Sequence, residues 1–186
     1  MSEVETDSKT SLNQEVLLND IQPKTVLSKL PFNSNKCPLF LSKNGNATAL
    51  YRYSNSGPFI ELFDPFNNNL IQALKYSIIQ GNFCIFNFGL INDIDQISQM
   101  LDELKKRCSL IHIDLYNHII NNSLMKQSFD TLMSLIPFDP IYEMVPEIYR
   151  NTKASFRFLF FAQINDPSIQ INNSFSSIFN CIQVKT

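Results

Sequence analysis

The sequence predicts a three-layer α/β domain with a central, mainly parallel sheet, and three observations carry that reading. The first is the stretch Asp64–Leu90, DPFNNNLIQALKYSIIQGNFCIFNFGL, which reads as an amphipathic helix, a tight turn at Gly81-Asn82 and a strand apolar on both faces. The second is Ser155–Gln163, SFRFLFFAQ, another long run without polar alternation. Strands that lack alternation suit the interior of a parallel sheet, where helices cover both faces. The third is Cys37–Leu41, a short apolar strand followed at once by the turn residues SKNGN. Strands separated by helices in this way are the repeating unit of a parallel α/β fold.

Each element has its own local reason. Residues 1–14 are polar and acidic and are expected to form a disordered tail. Leu12–Ile21 reads as a short helix, with Leu12, Val16, Leu17 and Ile21 on adjoining faces, and Pro23 opens a second helical turn that Pro31 closes. Phe59–Leu62 is a strand candidate. In the central unit Asp64 is placed to cap a helix, Pro65 to occupy its first position, and Phe66, Leu70, Leu74 and Ile78 to form its apolar face. Gly81 stops that helix. Asn92 or Asp93 caps the next one, whose inner face is Ile94, Ile97, Met100 or Leu101, Leu104 and Cys108, with acids first and Lys105-Lys106-Arg107 last, as the helix dipole favours. Residues 109–152 read as a divergent helical insertion: Leu110–Leu115 has strand character, Ser123–Ile136 is a helix capped by Ser123, and the proline-rich PFDPIYEMVPEIY is an irregular surface segment. INDPSIQINNSFS is a polar loop, and Ser177–Thr186 gives a helical turn and a final strand.

Composition narrows the function classes. With 44% hydrophobic residues and 16 Phe, a chain of 186 residues can bury one proper core. A formal net charge of −2 argues against broad electrostatic binding to nucleic acid or to anionic lipid. No apolar run approaches the ~20 residues that a bilayer crossing needs. Cys37, Cys84, Cys108 and Cys181 are far apart and form no C-x-x-C pair, which fits reduced cytosolic thiols. His112 and His118 match no common metal spacing, so no metal site is expected. No Ser/His/Asp or Cys/His grouping stands out as catalytic machinery.

Two positions bear on nucleotide chemistry. SKNGNAT follows the first apolar strand, where a phosphate loop belongs, but a cradle needs several glycines and a Lys-Ser/Thr pair. Ser42, Asn44, Gly45 and Thr48 are therefore a degenerate phosphate-loop position. The central strand, which would end in acidic residues that handle magnesium, ends in Asn87-Phe88, so Asn87 is a degenerate acidic position. No catalytic residue and no cofactor is expected.

Four segments in order resemble the sixth AAA+ module of dynein heavy chains. EVLLNDIQPKTVLSKL is similar to the family's helix ending in L-R-P-D, with Ile21-Gln22-Pro23-Lys24 at that position. CPLFLSKNGNAT resembles T-P-L-I-F-x-L-S-P-G-x-D-P. ELFDPFNNNLIQALKYSIIQGNFCIFNFGLI is similar without a gap to the run from S-L-G-Q-G-Q-G-P through G-N-W-V-L-L-Q-N-x-H-L, where Gly81, Asn82 and Asn87 match and Phe83 replaces the Trp. FRFLFFA resembles F-R-L-W-L-T-S, and SIFNCIQVKT resembles S-V-L-Q-N-x-V-K-M-T. The match spans roughly residues 15–108 and 155–186. The chain departs from the family where Phe63–Asn67 replace G-Q-G-Q-G, where Phe86 replaces the Gln before Asn87, and where 109–152 exceed a short connection. The resemblance implies a P-loop/AAA+-like fold and a non-hydrolysing module over residues 15–186, packed against neighbouring AAA+ modules and dynein complex subunits. Contact with microtubules would be only indirect, with neither nucleic acid nor membrane as partner, in a cytoplasmic, cytoskeletal or axonemal setting. A stand-alone protein-interaction module derived from a P-loop fold is the alternative.

Overall fold

Apolar runs of five to eight residues become strands here because the chain can bury both of their faces. In the computed structural model, which describes residues 14–26, 35–64, 69–139, 143–166, 169 and 171–185, six strands form one sheet. They are β1 (Gln14–Leu17), β2 (Cys37–Ser42), β3 (Phe59–Glu61), β4 (Phe83–Leu90), β5 (Arg157–Gln163) and β6 (Phe179–Lys185). Their spatial order is β1-β6-β2-β5-β4-β3, and every pairing is parallel. The two runs expected in the sheet interior, Phe83–Phe86 and Phe156–Phe161, lie on neighbouring strands, with Ile85 opposite Leu159 and Phe86 opposite Phe160. The described helices are α1 (Asn46–Tyr53), α2 (Leu70–Gln80), α3 (Ile94–Ser109), α4 (Leu115–Ile120), α5 (Phe129–Leu135), α6 (Pro146–Thr152) and α7 (Ile171–Phe175). The molecule is a three-layer α/β fold of P-loop-like form.

The direction of chain travel decides how the helices divide between the layers. From β2 the chain crosses β5 and β4 to reach β3 at one edge, and from there every step runs back the other way. Right-handed crossovers then put the helix of the first step on one face and the later helices on the other. The core agrees with this. Phe40, Phe83, Ile85, Leu159 and Phe161 join Ala47 and Tyr51 of α1 and Ile21 and Val26 in one cluster. Leu39, Leu41, Cys84, Phe86, Phe88, Phe158 and Phe160 face a larger cluster built with α2 through α7. The alternation of neighbours between clusters, Leu39 against Phe40 or Phe160 against Phe161, is the two-residue period of a strand. Packed rings run through the thicker layer, with Phe86 stacked on Phe160 at 4.8 Å between centroids and Phe179 tilted against Phe160 at 4.7 Å.

Several expectations need correction. Residues 14–17 form the edge strand β1, not part of a helix or tail, and 18–21 continue as a single 3-10 turn. The acidic tail before residue 14 and most of the turn closed by Pro31 lie outside the described residues. So do Pro65 and Phe66, and the observed helix starts at Leu70 with Asn69 rather than Asp64 at the cap position. Gly81 does end α2, in the left-handed region at φ 65°. Asp93 caps α3 in a reciprocal capping box with Gln96. Leu110–Leu115 is a turn leading into α4 rather than a strand. The helix expected from Ser123 is broken into a 3-10 turn at 124–126 and α5, which Ser128 caps through the Thr131 amide. The proline-rich segment contains α6, with Pro146 at its first position, where its missing N–H is no loss. The loop before the last strand contains α7. All four cysteines are free, and Cys37, Cys84 and Cys108 are buried. No helix among the described residues is long and apolar enough to cross a membrane.

Candidate functional site

In open α/β sheets ligands bind beyond the carboxyl ends of the strands. Both sequence-predicted positions lie at that edge, Ser42 at the end of β2 and Asn87 on β4, with β5 between the two strands. Only Lys43, Asn44 and Gly45 separate β2 from α1. Asn44 (φ 55°) and Gly45 (φ 66°) both adopt left-handed backbone, so the chain reverses within three residues instead of wrapping a phosphate. The Asn44 amide donates to Asn165 Oδ1 at 3.3 Å, and Gln163 Nε2 donates to the same oxygen at 3.2 Å. The Ile164 amide donates to the Ser42 carbonyl at 3.1 Å. A Cβ added at Gly45 would stand 2.9 Å from Gln163 Oε1, so the carboxamide closes the space beside the loop. Ser42 is 1% exposed, and its Oγ has no hydrogen-bond partner among the described residues. Thr48, half-buried on α1, completes the set.

At the acidic position every polar atom of Asn87 is engaged. Its Nδ2 donates to Glu61 Oε2 at 2.6 Å, and its Oδ1 accepts from the Gly89 amide at 3.2 Å. Glu61 sits directly opposite Asn87 in the β3–β4 register. The other Glu61 oxygen accepts from Arg52 of α1, whose guanidinium also lies 4.5 Å from the Phe59 ring centroid. An amide, a carboxylate and a guanidinium therefore tie β4, β3 and α1 together. Asn87 does not reach the loop after Gln163; that loop is held by Ser42 and by Ile91, whose amide donates to the Gln163 carbonyl at 2.9 Å. Glu61, Gln163 and Asn165 are thus the partners that sequence reasoning missed. Glu61 alone had a local signal, an acid at the end of a strand candidate.

A cavity of ≈340 Å3 lies beyond β3 on the carboxyl edge, between Leu62, Phe63 and the α3 residues Gln96, Gln99 and Glu103, and the opposite edge has its own. A cavity of ≈500 Å3 lies where β4 begins, bordered by Pro23, Lys24, Leu50, Ser56, Asn82 and Phe83. Among the described residues no group of three or more His, Cys, Asp or Glu side chains is arranged to hold a metal ion. His118 Nδ1 instead meets Ser123 Oγ at 3.0 Å, and His112 Nδ1 accepts from the Asp114 amide at 3.2 Å. Comparison with protein-family models, with curated proteins and with solved structures finds no match.

Proposed function

We propose that this chain is a non-catalytic P-loop-like module that works by packing against neighbouring protein modules, in the manner of the sixth AAA+ module of a dynein heavy chain. The observation that carries the proposal is the three-residue turn between β2 and α1, whose amide at Asn44 is taken by Asn165 and whose Gly45 lies against Gln163. Phosphoryl transfer depends on positioned amides, cations and metal around the phosphates. Here the equivalent groups serve one another. On this reading the partners are adjacent AAA+ modules and dynein complex subunits, the microtubule is met only indirectly, and the setting is cytoplasmic and cytoskeletal. The test has two parts. A fluorescent ADP analogue with magnesium should show no saturable binding, and an antibody to Lys43–Tyr53 should detect, in cell extract, a polypeptide many times longer than these residues. Tight binding abolished by changes at Ser42–Thr48 would overturn the non-catalytic assignment; detection only of a short chain would overturn the motor assignment.

A second reading, a stand-alone interaction module, draws support from the turn between α3 and α4. Leu110 and Ile113 there are 88% and 78% exposed, apolar side chains projecting from the long insertion. The short-chain result of the same antibody experiment would favour it.

A further inference from the structure

Three cationic side chains line one cavity at the entrance to β5, and among the described residues none of them pairs with a carboxylate. The cavity measures ≈340 Å3 and is bordered by Asn122, Met125, Lys126, Lys153, Phe156 and Arg157. Its walls come from three parts of the chain: the turn after α4, the residue that follows α6, and the first residues of β5. Among the described residues each cation meets a neutral partner. Lys126 Nζ donates to Asn35 Oδ1 at 3.1 Å, Lys153 Nζ lies 5.2 Å from the Tyr149 ring centroid, and Arg157 Nη1 donates to the Phe156 carbonyl at 2.6 Å. The ion pairs among the described residues are formed by other cations, such as Arg52, Lys75 and Lys185. Partial burial lowers the Arg157 pKa, which marks the cost of holding its charge away from water.

This concentration of positive charge is local, because the chain as a whole is slightly acidic, with 17 Asp and Glu against 15 Lys and Arg. Three like charges around one concavity repel each other and focus a positive potential inside it. A bound anion relieves that repulsion. The size of the cavity falls in the small-ligand class. A single carboxylate would balance one charge of three, whereas a phosphate monoester brings nearly two charges and several acceptor oxygens. The guanidinium fork suits such oxygens, and lysines bind them as point charges. Met125 and Phe156 lie behind the cations as buried core residues, so the charged side chains form the cavity's accessible rim.

We propose that this cavity is a binding site for a small phosphorylated compound, with Lys126, Lys153 and Arg157 meeting the phosphate oxygens. It is separate from the degenerate phosphate-loop position, which lies at the other end of the strands. The experiment is an amide-resolved NMR titration of the full chain with phenyl phosphate, with benzoate as a single-charge control on the same ring. Phenyl phosphate should give saturable shifts centred on Asn122, Lys153, Phe156 and Arg157, and benzoate should bind at least about tenfold more weakly. Lys126→Ala and Lys153→Ala alter exposed side chains, keep the native spectrum, and should each weaken binding about tenfold, whereas Lys105→Ala on α3 should change nothing. Absence of saturable shifts, equal binding by benzoate, or undiminished binding in Lys153→Ala would each overturn the proposal. So would binding to phosphatidylserine vesicles without binding to phenyl phosphate, which would assign the cations to a membrane surface.

Discussion

At the carboxyl ends of β2, β5 and β4 most of the polar groups satisfy one another, Ser42 Oγ excepted and with one cavity farther out beyond β3, whereas at the amino ends polar groups line cavities. The first edge holds Asn44 on Asn165, Gly45 beside Gln163, and Arg52, Glu61 and Asn87 in a chain. The second holds the ≈500 Å3 cavity beside Phe83 and the ≈340 Å3 cavity beside Arg157, Lys126 and Lys153. In most open α/β sheets the roles are reversed, with ligands at the carboxyl edge. The difference teaches that a parallel sheet does not by itself fix where a ligand can go. What decides is whether the loops keep their donors available or use them on each other, and a three-residue turn leaves too few amides to do both.

Substitutions at both edges and between them test this division. The largest effect is expected from Asn87→Asp, which replaces a donor 2.6 Å from Glu61 Oε2 with a second carboxylate. Stability should fall by about 1–3 kcal/mol at neutral pH, read by denaturant unfolding. Glu61 raises the folded-state pKa of the introduced carboxyl above its unfolded value, so the penalty is absent below the unfolded pKa and grows as pH rises through the folded one. Unchanged stability together with new Mg-ATP binding would mean that the carboxyl edge is a silenced nucleotide pocket rather than a structural lock. Next, Gly45→Ala should cost about 1–2 kcal/mol, because a side chain is forced into left-handed backbone. Adding Gln163→Ala should recover only the part due to the 2.9 Å contact; full recovery would show that the carboxamide alone shapes the turn.

Between the edges, Tyr51→Phe removes a fully buried hydroxyl that has no partner. Unfolding experiments should show a gain of up to about 1 kcal/mol, and a loss would reveal a hydrogen bond that the packing conceals. Burial pushes the Tyr51 phenol above its usual range, so in the native protein it should stay protonated through ordinary alkaline titration. The smallest effect belongs to the amino edge: Lys126→Ala and Lys153→Ala should leave stability within about 0.5 kcal/mol. A larger loss would make those lysines structural and erase the contrast.

The interior strands were legible in the sequence because burial on both faces leaves an unbroken apolar run, as in Phe83–Phe86 and Phe158–Ala162. β1 was not, since its residues Glu15–Leu17 also fit a helical period and what selects the strand is pairing with β6 at the far end of the chain. α1 escaped notice because it buries only Ala47 and Tyr51, one turn apart, behind a run of turn formers. α6 was hidden by prolines that mark its start rather than forbid it. At the site, the identities of Ser42, Gly45 and Asn87 could be read, but not the carboxamides and carboxylate that engage them. Glu61 meets Asn87 only through sheet register, and Gln163 and Asn165 arrive from β5, both non-local facts.

The position of β6 has a consequence for biosynthesis. It is the last of the six strands to leave the ribosome, yet it lies between β1 and β2, pairing Ile182 with both Gln14 and Phe40. Until residues 179–185 emerge, β1 has no described neighbour to join, and β2 presents an unpaired edge with apolar Leu39 and Leu41 beside it. A nascent chain stalled at that stage carries the kind of open strand edge that holding chaperones cover and that recruits like edges into aggregates. Completion of the sheet is therefore a late, long-range event, and a chain clipped before Phe179 would lose two strands rather than one.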